Sequence, residues 1–191
     1  MHNDPIEENL PWITPWFTKA DPVGLKLNEY EKAILAKMAA GWHSTNKIAL
    51  FDSLGESFGR KLVGNVMDKI VAANIRPEWE AVGKAQPANT IDDLIRLLWE
   101  PLPSQGFELS VEKTSSGVQI HCTHCPHADL GKSINGSEWL YHLVCSGDPH
   151  AAAGFNPAIG FKRTQTLMEG YPCCNHFYYL KENSNDQGKS H

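Results

Sequence analysis

A change of hydrophobic period near Gly106 constrains this chain more than any other feature of its sequence. Upstream, Tyr30, Ile34, Leu35 and Met38 recur at helix spacing, and Leu50, Leu54, Phe58, Leu62, Val66 and Ile70 continue it. Downstream, Phe107, Leu109 and Val111 alternate with polar residues. Ser115-Ser116-Gly117 then makes a turn, and Val118, Ile120 and Cys122 alternate again. Helical text followed by hairpin text, without regular interleaving, predicts an α+β architecture. The expected order is a helical N-terminal half, then a β-β-α-β-β half with an antiparallel sheet.

The punctuation refines that outline. A break is expected near Gly41. Gly55, Gly59 and Gly64 each weaken an isolated helix and are expected to mark close packing. No strand leads into them and no Lys-Ser/Thr follows, so they do not form a phosphate loop. Arg76-Pro77 is expected to end this helical region. Asn89 or Thr90 caps a helix over 91–99, with Asp92 and Asp93 in its first turn, and Pro101 and Pro103 stop it. A further helix is expected over 137–144, running into Cys145-Ser146-Gly147-Asp148. Residues 161–167 and 174–180 are expected to pair as a second hairpin turning at 169–172. The domain reading is an extended Pro/Trp-rich leader over 1–26, one α+β domain over 27–182 and a flexible tail over 183–191. The domain divides into a helical lead-in over 27–104 and a cysteine-rich half over 105–182.

A chain of 191 residues with 41% hydrophobic content can fill one core without covalent staples. Its formal net charge of -5 advertises neither nucleic acid nor anionic lipid as a partner. No apolar run approaches the roughly 20 residues that span a bilayer, and the N-terminus lacks the pattern of a secretory signal. Cytoplasm is therefore the expected compartment and a small molecule the expected partner, with a homo-oligomer compatible. There, five cysteines more often pack, bind metal or do chemistry than form disulfides.

Three clusters carry chemistry. The first runs His121-Cys122-Thr123-His124-Cys125-Pro126-His127-Ala128-Asp129, whose Cys-x-x-Cys and histidines suit zinc or another transition metal. Cys122 alternates with Val118 and Ile120 and equally reads as core, whereas Cys125 lies past the strand and is the better functional candidate. The second, Cys145-Ser146-Gly147-Asp148, sets a thiol and a carboxylate about one turn. The third is Cys173-Cys174-Asn175-His176, where period-2 geometry puts Cys174 and His176 on one face. Arg163, on an expected strand, offers a fork for a carboxylate or a surface salt bridge. A Gly-x-Ser-x-Gly elbow, a dinucleotide fingerprint and a Walker loop are all absent.

The ordered text CPHADL, LVCSGD and GFNPAIGFKRTQTLMEGYPCCNHFYY resembles the L-2-amino-thiazoline-4-carboxylic acid hydrolase family over residues 122–179. Residues 54–99 are similar to that family's helical lead-in, and the leader up to about Ala40 is not covered. The resemblance implies hydrolytic opening of a small sulfur- and nitrogen-containing ring bearing a carboxylate, as in 2-amino-thiazoline-4-carboxylate, to a carbamoyl-cysteine. Family positions map onto Cys125, Cys145, Asp148, Arg163 and Cys174. Asn156, Arg163, Thr164 and Thr166 are the expected substrate-binding residues. The flank of His121, His124 and His127 exceeds the family pattern.

Two mechanisms fit these residues. In one, a thiolate of Cys125 or Cys145 attacks the ring carbon, Asp148 or His176 moves protons and Arg163 binds the carboxylate. In the other, Cys125, Cys145 and Cys174, with His124 as a further candidate, hold a divalent metal such as zinc that activates water. A desulfhydrase releasing sulfide from a thio-heterocycle, and a non-catalytic cysteine-rich sensor of a small ligand or metal, are the alternatives.

Overall fold

The computed structural model describes Asn28 and residues 47–181. The leader over 1–26, the helical stretch with its break near Gly41, and the tail over 183–191 lie outside the described residues, apart from Asn28. Among the described residues three helices come first: α1 (Lys47–Phe58), α2 (Arg60–Lys84) and α3 (Ile91–Leu98). The hairpin of β1 (Glu108–Thr114) and β2 (Gly117–His124) comes after them. Next come α4 (Pro126–Ser133), α5 (Ser137–Leu143) and α6 (Asp148–Phe155), then β3 (Ile159–Lys162) and β4 (Cys174–Leu180). The four strands form one antiparallel sheet in the order β1-β2-β4-β3. The change of period thus does mark an α+β fold. No helix among the described residues is long and apolar enough to cross a membrane.

Three expectations need correction. First, three helices rather than one separate the two strand pairs. Pro126 and Pro149 stand in the first turns of α4 and α6, where a missing N–H costs nothing. Second, β3 and β4 pair, but β3 begins and ends earlier than expected. The stretch 163–173 is a connection containing a 3₁₀ turn at Leu167–Glu169, capped by Thr166. Third, α2 does not stop at Pro77 but continues to Lys84. A proline there forfeits a hydrogen bond to the preceding turn, and packing outweighs that loss. A Cβ on Gly83 would meet the Phe155 carbonyl oxygen at 2.1 Å, and one on Gly154 the Arg76 carbonyl at 2.4 Å. The ends of α2 and α6 therefore lie backbone to backbone.

The other glycines divide by role. A Cβ on Gly64 would meet His142 Nε2 at 2.4 Å, and one on Gly55 would crowd the Trp139 ring at 3.1 Å, so both mark close packing. Gly59 does not, having nothing within 4 Å; its φ of 89° is the left-handed bend that separates α1 from α2. At α3 the cap is Thr90: its Oγ1 accepts from the Asp93 N–H at 3.2 Å, while the Asp93 carboxylate accepts from the Thr90 N–H at 3.1 Å.

Buried side chains gather in two main groups. Phe51, Val63, Met67, Trp139 and Leu140 join α1, α2 and α5, and this group extends to Cys122 and Cys174. Leu94, Trp99, Ile120, Phe155, Ile159 and Tyr178 join α3 and α6 to the sheet. The indole N–H of Trp99 donates to the Tyr178 hydroxyl at 3.0 Å, which fixes both rings and satisfies two buried polar groups.

Candidate active site

One cavity, about 310 Å³, takes its walls from both groups. Cys122 on β2 and Cys174 and His176 on β4 project into it; Cys125 and His127 enter from the start of α4. Cys145 and Gly147 enter from the turn before α6, and Asp148 from the first residue of α6. Trp79, Trp99, Phe107 and Gln105 complete the part that matters chemically. The cavity thus brings together Cys125, Cys145, Asp148, Cys174 and His176 from separated segments.

Asp148 anchors the polar end. Its Oδ2 accepts from Arg163 Nη1 and lies 3.3 Å from His176 Nε2. Burial would push the Asp148 carboxyl up, but the hydrogen bond and charge of His176, together with Arg163, outweigh it and hold the group below its ordinary value. The Arg163 side chain is 7% exposed. Its Nη2 donates to the Cys145 carbonyl at 3.0 Å and reaches the Tyr141 hydroxyl at 3.5 Å, and its guanidinium lies 5.6 Å from the Tyr141 and Phe161 ring centres. Arg163 therefore stands behind the cavity wall with both arms engaged, tying β3 to the Cys145–Asp148 turn. His176 packs against Trp99, with ring centres 4.6 Å apart. Its Nδ1 is buried and has no hydrogen-bond partner.

The thiols differ in character. Cys125 caps α4, with the His127 and Ala128 N–H groups turned toward its sulfur without closing a cap hydrogen bond. Burial dominates and pushes this thiol up to about 11. Burial, reinforced by Asp148, pushes Cys145 up as well. Cys174 goes the other way. It faces Cys122 across the β2–β4 ladder, and the Cys122 thiol donates to it. The Leu167 N–H adds a second donor at 3.2 Å, and the charges of His176 and Arg163 add to both against the cost of burial. The Cys122 sulfur also lies 3.1 Å from the His124 carbonyl, but an ionised Cys174 is the stronger acceptor for its single proton. Of the cavity thiols it is Cys174 whose pKa is lowered, and Cys122 is correspondingly pushed up.

Several expected residues lie elsewhere. Asn156 ties α6 to the loop before α3, its Nδ2 donating to the Asn89 carbonyl at 3.0 Å. Thr164 accepts from Asn175 at 2.8 Å in the β3–β4 connection, and the buried Thr166 hydroxyl donates to Glu169 at 2.8 Å. His124 sits at the surface, its Nδ1 at 2.7 Å from the Gly106 carbonyl and its Nε2 at 2.7 Å from Asp129. Among the described residues no group of three or more His, Cys, Asp or Glu side chains is arranged to hold a metal ion. Conversely, sequence reasoning passed over Trp79, Trp99, Phe107 and Gln105, and counted His127 only within a histidine-rich flank suited to a metal. Burial pushes His127 down to about 4.

The family model described as L-2-amino-thiazoline-4-carboxylic acid hydrolase matches residues 37–178. No curated protein matches the chain at a significant level. Among solved structures, the chain is similar to the crystal structure of the Fe(II) unliganded H-NOX protein from K. algicida. The TM-score is 0.50 at 10% identity, over 92% of this chain and 98% of that one, a likeness of fold alone.

Proposed function

The chain belongs to the L-2-amino-thiazoline-4-carboxylic acid hydrolase family, and from that premise we propose that it opens a small sulfur- and nitrogen-containing ring by thiolate attack inside the cavity. The observation that carries this reading is Cys174, a cavity-lining thiol that two donors and two neighbouring charges favour as thiolate. Its partner His176 lies two residues on, on the same strand face, with Nε2 at Asp148.

On a 2-amino-thiazoline ring the balanced sequence is short. The Cys174 sulfur bonds to the ring carbon between sulfur and nitrogen, and the bond from that carbon to the ring sulfur breaks. The ring sulfur leaves as a thiolate and takes a proton, with His176 beside Asp148 as its carrier. Water then attacks the same carbon, one of its protons passes to the imine nitrogen, which stays in the product, the other returns to His176, and the Cys174 thiolate is released. One water is consumed, and the product is a carbamoyl compound with a free thiol and no sulfide. Arg163 positions Asp148 and the Cys145 turn, and Cys125 and Cys145 shape the wall. Five free thiols suit a reducing compartment such as cytoplasm.

The test joins chemistry to mapping. Alkylation at pH 7 followed by peptide mass analysis should label Cys174 before Cys125 and Cys145. Cys174→Ser should abolish release of free thiol from 2-amino-thiazoline rings, since an alcohol is a far weaker nucleophile at that pH. Retained turnover in Cys174→Ser would sink the proposal. Tight ring binding without turnover in the wild type would instead point to a ligand sensor, and sulfide release to a desulfhydrase.

A further inference from the structure

Two of the cavity's thiols stand opposite each other on neighbouring strands. Cys122 on β2 pairs with Cys174 on β4 in the antiparallel ladder. Directly opposed residues of such a ladder hold their Cα atoms about 4.5–5.5 Å apart, inside the roughly 4.4–6.8 Å that a disulfide spans. Both side chains leave the sheet on one face, since both line the cavity, and their sulfurs share a hydrogen bond. The register is held by the pairs that follow, Ile120 with His176 and Val118 with Tyr178. A bond between the two sulfurs therefore asks for no shift of either strand.

The remaining thiols are placed differently. Cys173, one residue before β4, has its sulfur taken by the Gln165 side-chain amide at 3.0 Å. Cys125 and Cys145 line the cavity but enter from the start of α4 and the turn before α6, where no ladder holds them against Cys174. Burial pushes both of them up, whereas Cys174 is lowered. Cys174 is thus the sulfur that a small oxidant in the cavity meets as a nucleophile. Cys122, which the ring-opening steps leave idle, is the thiol set directly against it.

We infer that Cys122 and Cys174 form a redox site, which a small peroxide entering the cavity closes into a cross-strand disulfide and a thiol reductant reopens. The Cys174 thiolate attacks a peroxide oxygen and the O–O bond breaks, leaving a sulfenic acid on Cys174 and an alkoxide or hydroxide that takes a proton. The Cys122 sulfur, giving up its proton, then bonds to the Cys174 sulfur. The S–O bond breaks, and hydroxide leaves with that proton as water. The pair of sulfurs is oxidised and the peroxide is reduced. A thiol reductant reverses the closure by exchange through a mixed disulfide. On the reading of Cys174 as the ring-opening nucleophile, on which this consequence rests, closure switches the cavity off.

In the experiment the reduced full chain is treated with one equivalent of hydrogen peroxide, alkylated under denaturing conditions and digested with trypsin without reductant. The expected product is an intramolecular disulfide joining peptide 114–132 to peptide 164–181, which dithiothreitol cleaves. Those peptides also carry Cys125 and Cys173, so fragmentation of the wild-type cross-link must place it on Cys122 and Cys174, whether or not a variant folds. Cys125→Ser and Cys173→Ser should keep the cross-link. Cys122→Ser should lose it and leave a sulfenic acid on Cys174 that dimedone traps. Absence of the cross-link in the wild type, or a cross-link that survives Cys122→Ser, overturns the inference. Release of free thiol from 2-amino-thiazoline-4-carboxylate is followed on the same samples. It should fall in proportion to the disulfide formed and return with dithiothreitol. A disulfide that leaves turnover intact supports the redox site and removes Cys174 as the nucleophile. Turnover in a wild type that forms no disulfide overturns the site and leaves the hydrolase reading standing.

Discussion

Replacing Arg163 separates two roles for its guanidinium, one that holds the site together and one that waits for substrate. The side chains of Arg163 and Asp148 are 7% and 23% exposed. Removing one partner of a buried ion pair typically costs about 3–5 kcal/mol, because the other charge stays behind uncompensated. Asp148 keeps His176 at 3.3 Å, so Arg163→Met belongs at the low end, about 3 kcal/mol. In a domain of this size that is a fall in Tm of about 6–12 °C. Arg163→Lys keeps a charge but loses the second arm on the Cys145 carbonyl, a charge-assisted hydrogen bond worth about 1.5–3 kcal/mol. Urea unfolding and steady-state kinetics should be run on the same preparations. The expected kinetic signature is a fall in kcat as the Cys145–Asp148 turn loosens, with KM little moved. The pH dependence gives an independent check. Asp148 has a lower pKa folded than unfolded, so its contribution is present above the unfolded value. It is lost as pH falls below about 4 and through the folded value. Arg163→Met should flatten that acid limb. An unfolding free energy within about 0.5 kcal/mol of wild type, the range of an ordinary surface change, would refute the positioning role. So would a lysine variant that raises KM alone, which would return the fork to a substrate carboxylate.

Cys122→Ala removes the thiol that donates to Cys174, so the alkylation profile of Cys174 should move to higher pH and its rate at pH 7 should fall several-fold; an unmoved profile would show that the pair is not coupled. His127, pushed down to about 4 by burial, should show ring-proton NMR shifts that titrate near that value. Its folded pKa lies below the unfolded value of about 6.5, so the stability it lends is full above that pH and is lost as pH falls toward 4. Gly83→Ala places a Cβ 2.1 Å from the Phe155 carbonyl oxygen, an overpacking expected to cost about 1–3 kcal/mol in urea unfolding. A loss of only a few tenths would show that α2 and α6 are free to separate.

The period change at Gly106 was sufficient to read the architecture because helix and strand periodicities are properties of neighbouring residues. The cap at Thr90 was legible for the same reason, since the capping box closes within three residues. What escaped was decided by distant contacts. Pro77 looks like a terminator, and only the approach of Gly83 to Phe155 and of Gly154 to Arg76 explains a helix that continues past it. Pro126 and Pro149 carry the same local signal, yet they open helices instead of closing them. A proline's missing N–H is harmless in a first turn and costly in a helix interior, and tertiary packing decides which of the two positions it occupies.

The site was half legible, and the half that failed has one physical origin. Reactive residue types announce themselves, so Cys125, Cys145, Asp148, Cys174 and His176 were singled out and the fold gathers them. The residues that give the cavity its character do not. Trp79, Trp99 and Phe107 carry the hydrophobic signal of core residues, and a side chain facing a cavity has the same period as one facing a packed interior. Arg163 shows the converse case. Its residue type offered a fork for a carboxylate or a salt bridge, and its charge is engaged by Asp148, fifteen residues earlier in the chain and adjacent only after β3 and α6 have docked. A guanidinium free to bind substrate and one that holds a carboxylate in place have the same local sequence; the partner across the fold decides between them. Here that partner leaves the cavity walled by aromatic rings, by thiols and by one unpaired imidazole nitrogen, with Arg163 held behind the wall.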